Sequence, residues 1–331
     1  MNKHEVIERL TTIGKEQELL FQKARESRFQ AYGDISLLRG VIELTNQCRV
    51  NCNYCPMRRD NMKNNNIFML DEKAILNAVQ NIKNNNINIV FFQAGEIPAT
   101  TKFIGEIIPK VKEIFNGDVE ILLNLGVKKR EEYKYLRDQG ATSFILKHET
   151  SDPILHEALR HEPLKVRIQA ITDLLELGYF VGAGSIIGLP NQSIESIAED
   201  ILLAKRLGVH MSSVSTFIPA PNTPLENLPN GSINTTLNAI ATMRLLSPQW
   251  LIPSVSALEK TMKGGQVLGY HAGANVMTIN FTPDSQSDKY LIYGEDRFVV
   301  KLNHAQETLK SAGLKATTSI FNQLLKNQFS I

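Results

Sequence analysis

The sequence predicts an α/β protein, a complete (β/α)8 TIM-type barrel with an N-terminal helical cap and a C-terminal helical extension. Short runs rich in Val, Ile and Phe alternate with longer amphipathic stretches, the pattern of βα units feeding a parallel sheet. Eight such units can be counted, and 331 residues suffice for one barrel of eight.

Taken in order, residues 1–36 form the expected cap, with Ile7, Leu10, Ile13, Leu19, Leu20 and Phe21 recurring near helical spacing among charges. Residues 37–331 read as one barrel domain with its extension, undivided by any repeat or linker. Strands are expected at about 41–45, 88–93, 119–124, 142–147, 180–186, 211–217, 250–254 and 275–280. Helices are expected near 71–84, 101–115, 128–139, 152–160 with 164–178, 193–208, 233–246 and 257–268. Asp71 and Ser193 stand where N-caps belong, and Asp152 precedes Pro153, which a first helical turn tolerates. Glycines close the stretches near 140, 178 and 208, as helix C-termini favour. The Asn-rich runs 64–66 and 84–86 read as loops. From about 296 a tail with one amphipathic helix, 300–312, is expected to cover the barrel.

A net charge of +2 with 43% hydrophobic and 21% charged residues is ordinary globular composition and calls for no nucleic-acid or membrane partner. No apolar run is long enough to span a bilayer, and Met1-Asn2-Lys3-His4-Glu5 opens without an apolar core, so a cytoplasmic location is expected.

All three cysteines lie in one stretch, Thr45-Asn46-Gln47-Cys48-Arg49-Val50-Asn51-Cys52-Asn53-Tyr54-Cys55, spaced Cys-x3-Cys-x2-Cys after the first strand. Three thiolates make a poor structural zinc site, which wants four ligands. They suit a 4Fe–4S cluster with one iron left free of protein. Three inert cysteines, or zinc completed by a distant His, remain alternatives on this chemistry alone.

Barrel enzymes place their chemistry at the C-terminal ends of strands. There the chain offers Gln93-Ala94-Gly95-Glu96, Asn124, Lys147-His148-Glu149-Thr150 and the glycine-rich stretch 182–190, with Arg167 in the following helix. Glu149 can accept two hydrogen bonds from a diol, Arg167 can clamp a carboxylate, and Gly184 permits close approach of a flat ligand. The bland readings are a surface ion pair for Glu149 and Arg167, turn glycines, and a satisfied strand-end His148.

The cysteine loop with Tyr54 before its third cysteine resembles that of radical S-adenosylmethionine (radical SAM) enzymes. The resemblance spans about 38–295 and is nearest the group holding hydrogenase maturases of the HydE type and methylornithine synthases of the PylB type, with biotin synthases more distant. It rests also on Gln93-Ala94-Gly95-Glu96, Lys147-His148-Glu149-Thr150, 182–190 and 217–225. It implies that Cys48, Cys52 and Cys55 bind one 4Fe–4S cluster, and that S-adenosylmethionine lies against Tyr54, Gly95, Glu96, Glu149, Arg167, Gly184, Phe217 and Ile218. The implied reaction is reductive cleavage of S-adenosylmethionine to a 5′-deoxyadenosyl radical that attacks a small-molecule substrate, with a reductant such as ferredoxin or flavodoxin. Gln93, Asn124, Thr216, Thr278, Tyr290 and Tyr293 are the candidate substrate-pocket residues. A HydE-like activity is expected. The alternatives are a PylB-like rearrangement of an amino-acid skeleton, a biotin-synthase-like sulfur insertion and a non-catalytic carrier of cluster or S-adenosylmethionine. The chain departs from the family in having no cysteine beyond Cys55, and in carrying Ile97, Gly126-Val127 and Asp284-Ser285-Gln286 where substrate would sit.

Overall fold

A computed structural model describes residues 1–63 and 66–318. Strands β1 (Ile35–Thr45), β2 (Ile89–Ala94), β3 (Glu120–Asn124), β4 (Ser143–Ile145), β5 (Phe180–Ile187), β6 (Met211–Thr216) and β7 (Val276–Asn280) form one parallel sheet in the order β6-β5-β4-β3-β2-β1-β7. A short β8 (Lys315–Thr317) pairs with the start of β1. Leu37 is matched to Val276 in one pairing and to Thr317 in the other, so β8 lies on the β2 side at the N-terminal end of the sheet.

The sheet curls into a partial barrel, with a seven-strand path where eight strands are expected. The segment 250–254 is not a strand: Leu251 makes a single parallel bridge to Met211 and Pro253 another to Val276. Pro253 has no N–H to give a ladder, so pairing between β6 and β7 does not propagate. β1 starts at Ile35, inside the stretch expected to be cap, because Ile35–Val41 find partners on β8 and β7 that local periodicity does not reveal.

The helices are α1 (Lys3–Leu10), α2 (Gly14–Tyr32), α3 (Glu72–Asn84), α4 (Ala99–Ile114), α5 (Arg130–Gln139), α6 (Pro153–Arg160), α7 (Leu164–Glu176), α8 (Ile194–Leu207), α9 (Ile233–Leu246), α10 (Ser256–Thr261), α11 (Gly265–His271), α12 (Asp284–Ser287) and α13 (Leu302–Ser311). Asp71, Asp152 and Ser193 cap their helices as expected. The single helix expected at 257–268 is two, α10 and α11, broken where Met262 turns extended and Gly264 takes φ +80°. α1 packs on α8 and α9, and α2 on α9 and α11, so the N-terminal helices lie on the outer helical layer. Asn238 on α9 ties them down, donating to the carbonyls of Leu10 and Thr12 at 3.1 and 2.9 Å.

Strand alternation divides the apolar residues. Ile42, Phe92, Leu123 and Val181 face the helices, while Val41, Phe91, Leu122, Met211 and Val276 meet as a plug within the barrel. Residues of the irregular segment 290–300 line the barrel mouth, while α13 packs against α11, β7 and β8. The rest of the tail expected to cover the barrel, 319–331, and most of the Asn run 64–66, lie outside the described residues.

Candidate active site

The cysteine loop leaves the C-terminal end of β1 and has almost no regular structure of its own, so other elements hold it. The Asn53 N–H donates to Leu159 O on α6 at 2.8 Å, and the Arg59 N–H to Val50 O at 2.9 Å. Asn61 Nδ2 donates to the carbonyls of Pro56 and Asn222. Gly95, just past β2, is needed for a close approach: a Cβ there would lie 1.9 Å from the Gln47 carbonyl oxygen. That approach brings the Glu96 N–H to Cys48 Sγ at 3.4 Å. Cys52 is buried, and Cys55 opens onto the barrel cavity. Burial, then the neighbouring Cys52 and Cys48, push the Cys55 thiol well up, so its thiolate needs a cation. Three thiolates leave one of the four positions of a structural zinc unfilled. A cubane makes no such demand, since each thiolate takes a different iron. The loop's chemistry therefore fits a cluster better than a single zinc.

Beside the loop lies a buried charge network. Glu96 accepts from Arg49 NH2 at 2.5 Å and from the Val127 N–H at 2.9 Å. Its Oε2 lies 3.8 Å from Arg167 NH1 and 3.9 Å from Arg160 NH2. Arg167 NH2 stands 3.9 Å from Glu149 Oε1, and Lys147 Nζ 3.3 Å from Glu149 Oε2. Burial pushes Glu149 upward, but Lys147, Arg167 and Arg160 together outweigh it, and the carboxyl sits below its ordinary value. Glu149 also takes a left-handed φ of +66°, a strain that buried residues hold where surroundings over-determine them. Arg167 Nε and NH1 and Glu149 Oε2 are buried without a hydrogen-bond partner. Unspent donors on a buried guanidinium, beside a carboxylate held by Lys147 alone at close range, fit a ligand with its own carboxylate and hydroxyls. Glu149 and Arg167 are thus no surface ion pair. Nor is His148 satisfied: it is buried, neither ring nitrogen has a partner, and burial lowers its pKa to about 3.

A cavity of about 290 Å³ runs inward from Cys55 and Tyr54. Gln93, Asn124, Glu149, Thr278 and Tyr293 line it. Tyr290 is buried beside it, its hydroxyl accepting from Gln93 Nε2 at 3.1 Å. Thr216 is a correction: its hydroxyl points away, 3.1 Å from Thr236 on α9. Two-residue alternation on β6 turns Ser213 and Ser215 inward instead. Gly184 is another: a Cβ there would meet the Ser213 carbonyl at 2.2 Å, so the glycine serves the contact between β5 and β6. Phe217 packs in one apolar cluster with Tyr54, Leu159 and Leu189, while Ile218 faces a separate surface pocket with Pro219 and Lys260.

Arg39, Glu43 and Arg297 are not among the residues that the sequence pattern singles out. Arg39 lies on the cavity wall, its Nε donating to Thr278 Oγ1 at 2.6 Å and its guanidinium 5.1 Å from the Phe91 ring. Burial lowers its pKa to about 10. Glu43 receives both arms of Arg297 at 2.6 and 2.7 Å, pinning the segment 290–300 over the mouth. Arg39 and Glu43 share β1's inward face with Val41, a charged alternation that was visible once the strand was drawn from residue 35.

The chain is 36% identical over 278 residues to the [FeFe] hydrogenase maturase subunit HydE of Thermotoga maritima, covering 83% of this chain and 79% of that protein. A sequence profile described as the radical SAM superfamily matches residues 42–204. This chain belongs to the radical SAM superfamily. To the 3-methylornithine synthase of Methanosarcina acetivorans this superfamily member is 29% identical over 292 residues, with 87% and 82% coverage. The crystal structure of a methylornithine synthase, PylB, superposes with a TM-score of 0.84 at 26% identity, covering 98% of this chain and 96% of that one. Radical SAM enzymes use a 4Fe–4S cluster and S-adenosylmethionine, and this chain has the three cysteines such a cluster requires. Among the described residues no helix is long and apolar enough to cross a membrane.

Proposed function

We propose that the protein is a HydE-like radical SAM enzyme acting on a small molecule held in the barrel cavity. The observation that carries the reading is the buried Arg167 guanidinium between Glu96 and Glu149, its Nε and NH1 without hydrogen-bond partners. In this reading Cys48, Cys52 and Cys55 hold the cluster. The methionine amine lies at Gly95 and Glu96, its carboxylate at Arg167, and the ribose at Glu149. Tyr54 and Phe217 flank the adenine. In this reading the segment 250–254, bridged to β6 at Leu251 and to β7 at Pro253, takes the eighth place around the barrel without a continuous ladder, and the chain forms a single domain with its cap and extension.

When bound, cluster and S-adenosylmethionine supply one electron and a carbon-centred radical; the chain binds, orients and excludes water. Gln93, Asn124, Thr278 and Tyr293 offer hydrogen bonds to the substrate, and Tyr290 fixes Gln93. Arg39, a buried cation with one side-chain partner, favours an anionic substrate. The 36% identity to HydE supports a role in hydrogenase cofactor maturation, with ferredoxin or flavodoxin as reductant. A second reading, rearrangement of an amino-acid skeleton, is supported by the likeness to methylornithine synthase. Anaerobic protein reconstituted with iron and sulfide, then given dithionite and S-adenosylmethionine, is expected to release 5′-deoxyadenosine and methionine. Failure to do so with the cluster present sinks both readings. Turnover of lysine to methylornithine favours the second.

A further inference from the structure

The charge network contains one arginine that the ligand reading leaves unused. Arg160, the last residue of α6, is about 5% exposed. Its NH1 donates to Cys52 Sγ at 3.3 Å and to the Tyr54 hydroxyl at 3.1 Å. Its NH2 lies 3.9 Å from both Glu96 Oε2 and Glu162 Oε2. Among the described residues no other side chain donates a hydrogen bond to a cysteine sulfur. The other contacts to these sulfurs come from backbone N–H groups, at Glu96 and Val50 for Cys48 and at Met57 for Cys55. The position is fixed by the chain around it. The Asn53 N–H reaches Leu159 O, and Asn53 Nδ2 reaches Ala158 O at 2.9 Å, so the C-terminal turn of α6 is stitched to the cysteine loop. Asp152 caps the other end of the helix through the N–H groups of Ile154 and Leu155.

We propose that Arg160 is a positioning and tuning residue for the cluster. Its guanidinium hydrogen-bonds the Cys52 thiolate and sets the potential at which the cluster accepts its electron. The inference rests on the reading of Cys48, Cys52 and Cys55 as cluster ligands. Reduction of a 4Fe–4S cluster from the 2+ to the 1+ state adds one electron and no proton, so the charge on iron and sulfur becomes more negative by one. A fixed buried cation against a ligating sulfur stabilises the reduced state more than the oxidised one and raises the potential; hydrogen bonds to sulfur and burial are the levers known to move it. Low dielectric strengthens the effect, since little water screens Arg160. Arg167, which touches no sulfur, is left free for the ligand. Two arginines of one buried network thereby divide the work, and the difference lies in which atoms they reach.

The test is the cluster's midpoint potential, followed by electron paramagnetic resonance in a dithionite titration of anaerobically reconstituted protein. Wild type is compared with Arg160→Gln, which keeps a donor without the charge, and Arg160→Lys, which keeps the charge. Arg160→Gln is expected to lower the reduced-to-oxidised ratio at fixed solution potential about tenfold, a shift of about 59 mV for one electron. Arg160→Lys is expected to recover most of it. Equal potentials in wild type and Arg160→Gln, or equal shifts in both variants, overturn the proposal in favour of a packing role. Should Arg160→Gln not fold, wild-type protein with 15N-labelled arginine side chains carries the test. Pulsed resonance on the reduced cluster then shows a guanidinium nitrogen coupling that Arg160→Lys lacks, and no such coupling in wild type refutes the contact. Wild-type protein that holds no cluster at all defeats the underlying reading instead, and the two failures are told apart by the visible absorbance before any titration.

Discussion

Replacing Arg167 by Ala tests the ligand assignment most directly. The side chain is 5% exposed on α7 and stands 3.8 Å from Glu96 and 3.9 Å from Glu149, beyond hydrogen-bond range of either. Its Nε and NH1 have no partner. The free protein therefore balances its charge at a distance and leaves its donors for a ligand. One charge-assisted hydrogen bond to a carboxylate is worth about 1.5–3 kcal/mol. Losing it weakens S-adenosylmethionine binding roughly 10- to 150-fold. The fold survives the change, because Glu96 keeps Arg49 at 2.5 Å and Glu149 keeps Lys147 at 3.3 Å. The assay is equilibrium binding of S-adenosylmethionine to the reconstituted protein, with visible absorbance confirming equal cluster content. Arg167→Lys should fall between the two, since an ammonium retains the charge but not the planar fork. An unchanged dissociation constant with an intact cluster refutes the clamp.

Cys52→Ala should remove the visible absorbance of the reconstituted cluster, and a fully loaded variant contradicts the ligand set. Glu149→Gln should weaken S-adenosylmethionine binding less than loss of a cysteine does; no change removes the ribose role. Because the folded-state pKa of Glu149 is depressed, the stability it contributes is present above its ordinary carboxyl range and lost as pH falls through the folded value. Glu149→Gln should therefore flatten acid denaturation, as read by melting temperature against pH. Gly95→Ala forces a Cβ to 1.9 Å from the Gln47 carbonyl and should cost about 1–3 kcal/mol by denaturant titration, with poorer cluster loading. Asp200 accepts from the Ser151 N–H and hydroxyl and from Gln192, and burial raises its pKa to about 7. Its raised value makes its contribution full below about pH 4 and lost as pH climbs through about 7, so Asp200→Asn should abolish that decline. A melting curve that still falls across this range points to another group.

The cysteine loop, the βα alternation, the strand-end groups Glu96 and Glu149 and the helical Arg167 are readable because each depends on local spacing. Chemistry carried by one loop and strand ends followed by glycines need no knowledge of the remainder of the chain. The substrate wall was less legible. Thr216 was chosen where Ser213 and Ser215 face inward, a slip of one residue that reverses every side chain on a strand. Arg39 gives no local signal, because the first residues of β1 are strand only by virtue of β7 and β8, which lie 239 or more residues away in the pairing.

The sequence by itself determined that three sulfurs sit on one loop at the end of a first strand, that carboxylates follow at later strand ends, and that an arginine follows in a helix after them. Only the tertiary structure decided what those groups meet. It set Arg160 against Cys52 across 108 residues, left Arg167 with unspent donors, joined Glu43 to Arg297 across 254, and let the sheet lapse at Pro253. Spacing along a chain fixes direction and order, whereas hydrogen bonding and burial depend on distances in space between residues that no local pattern relates.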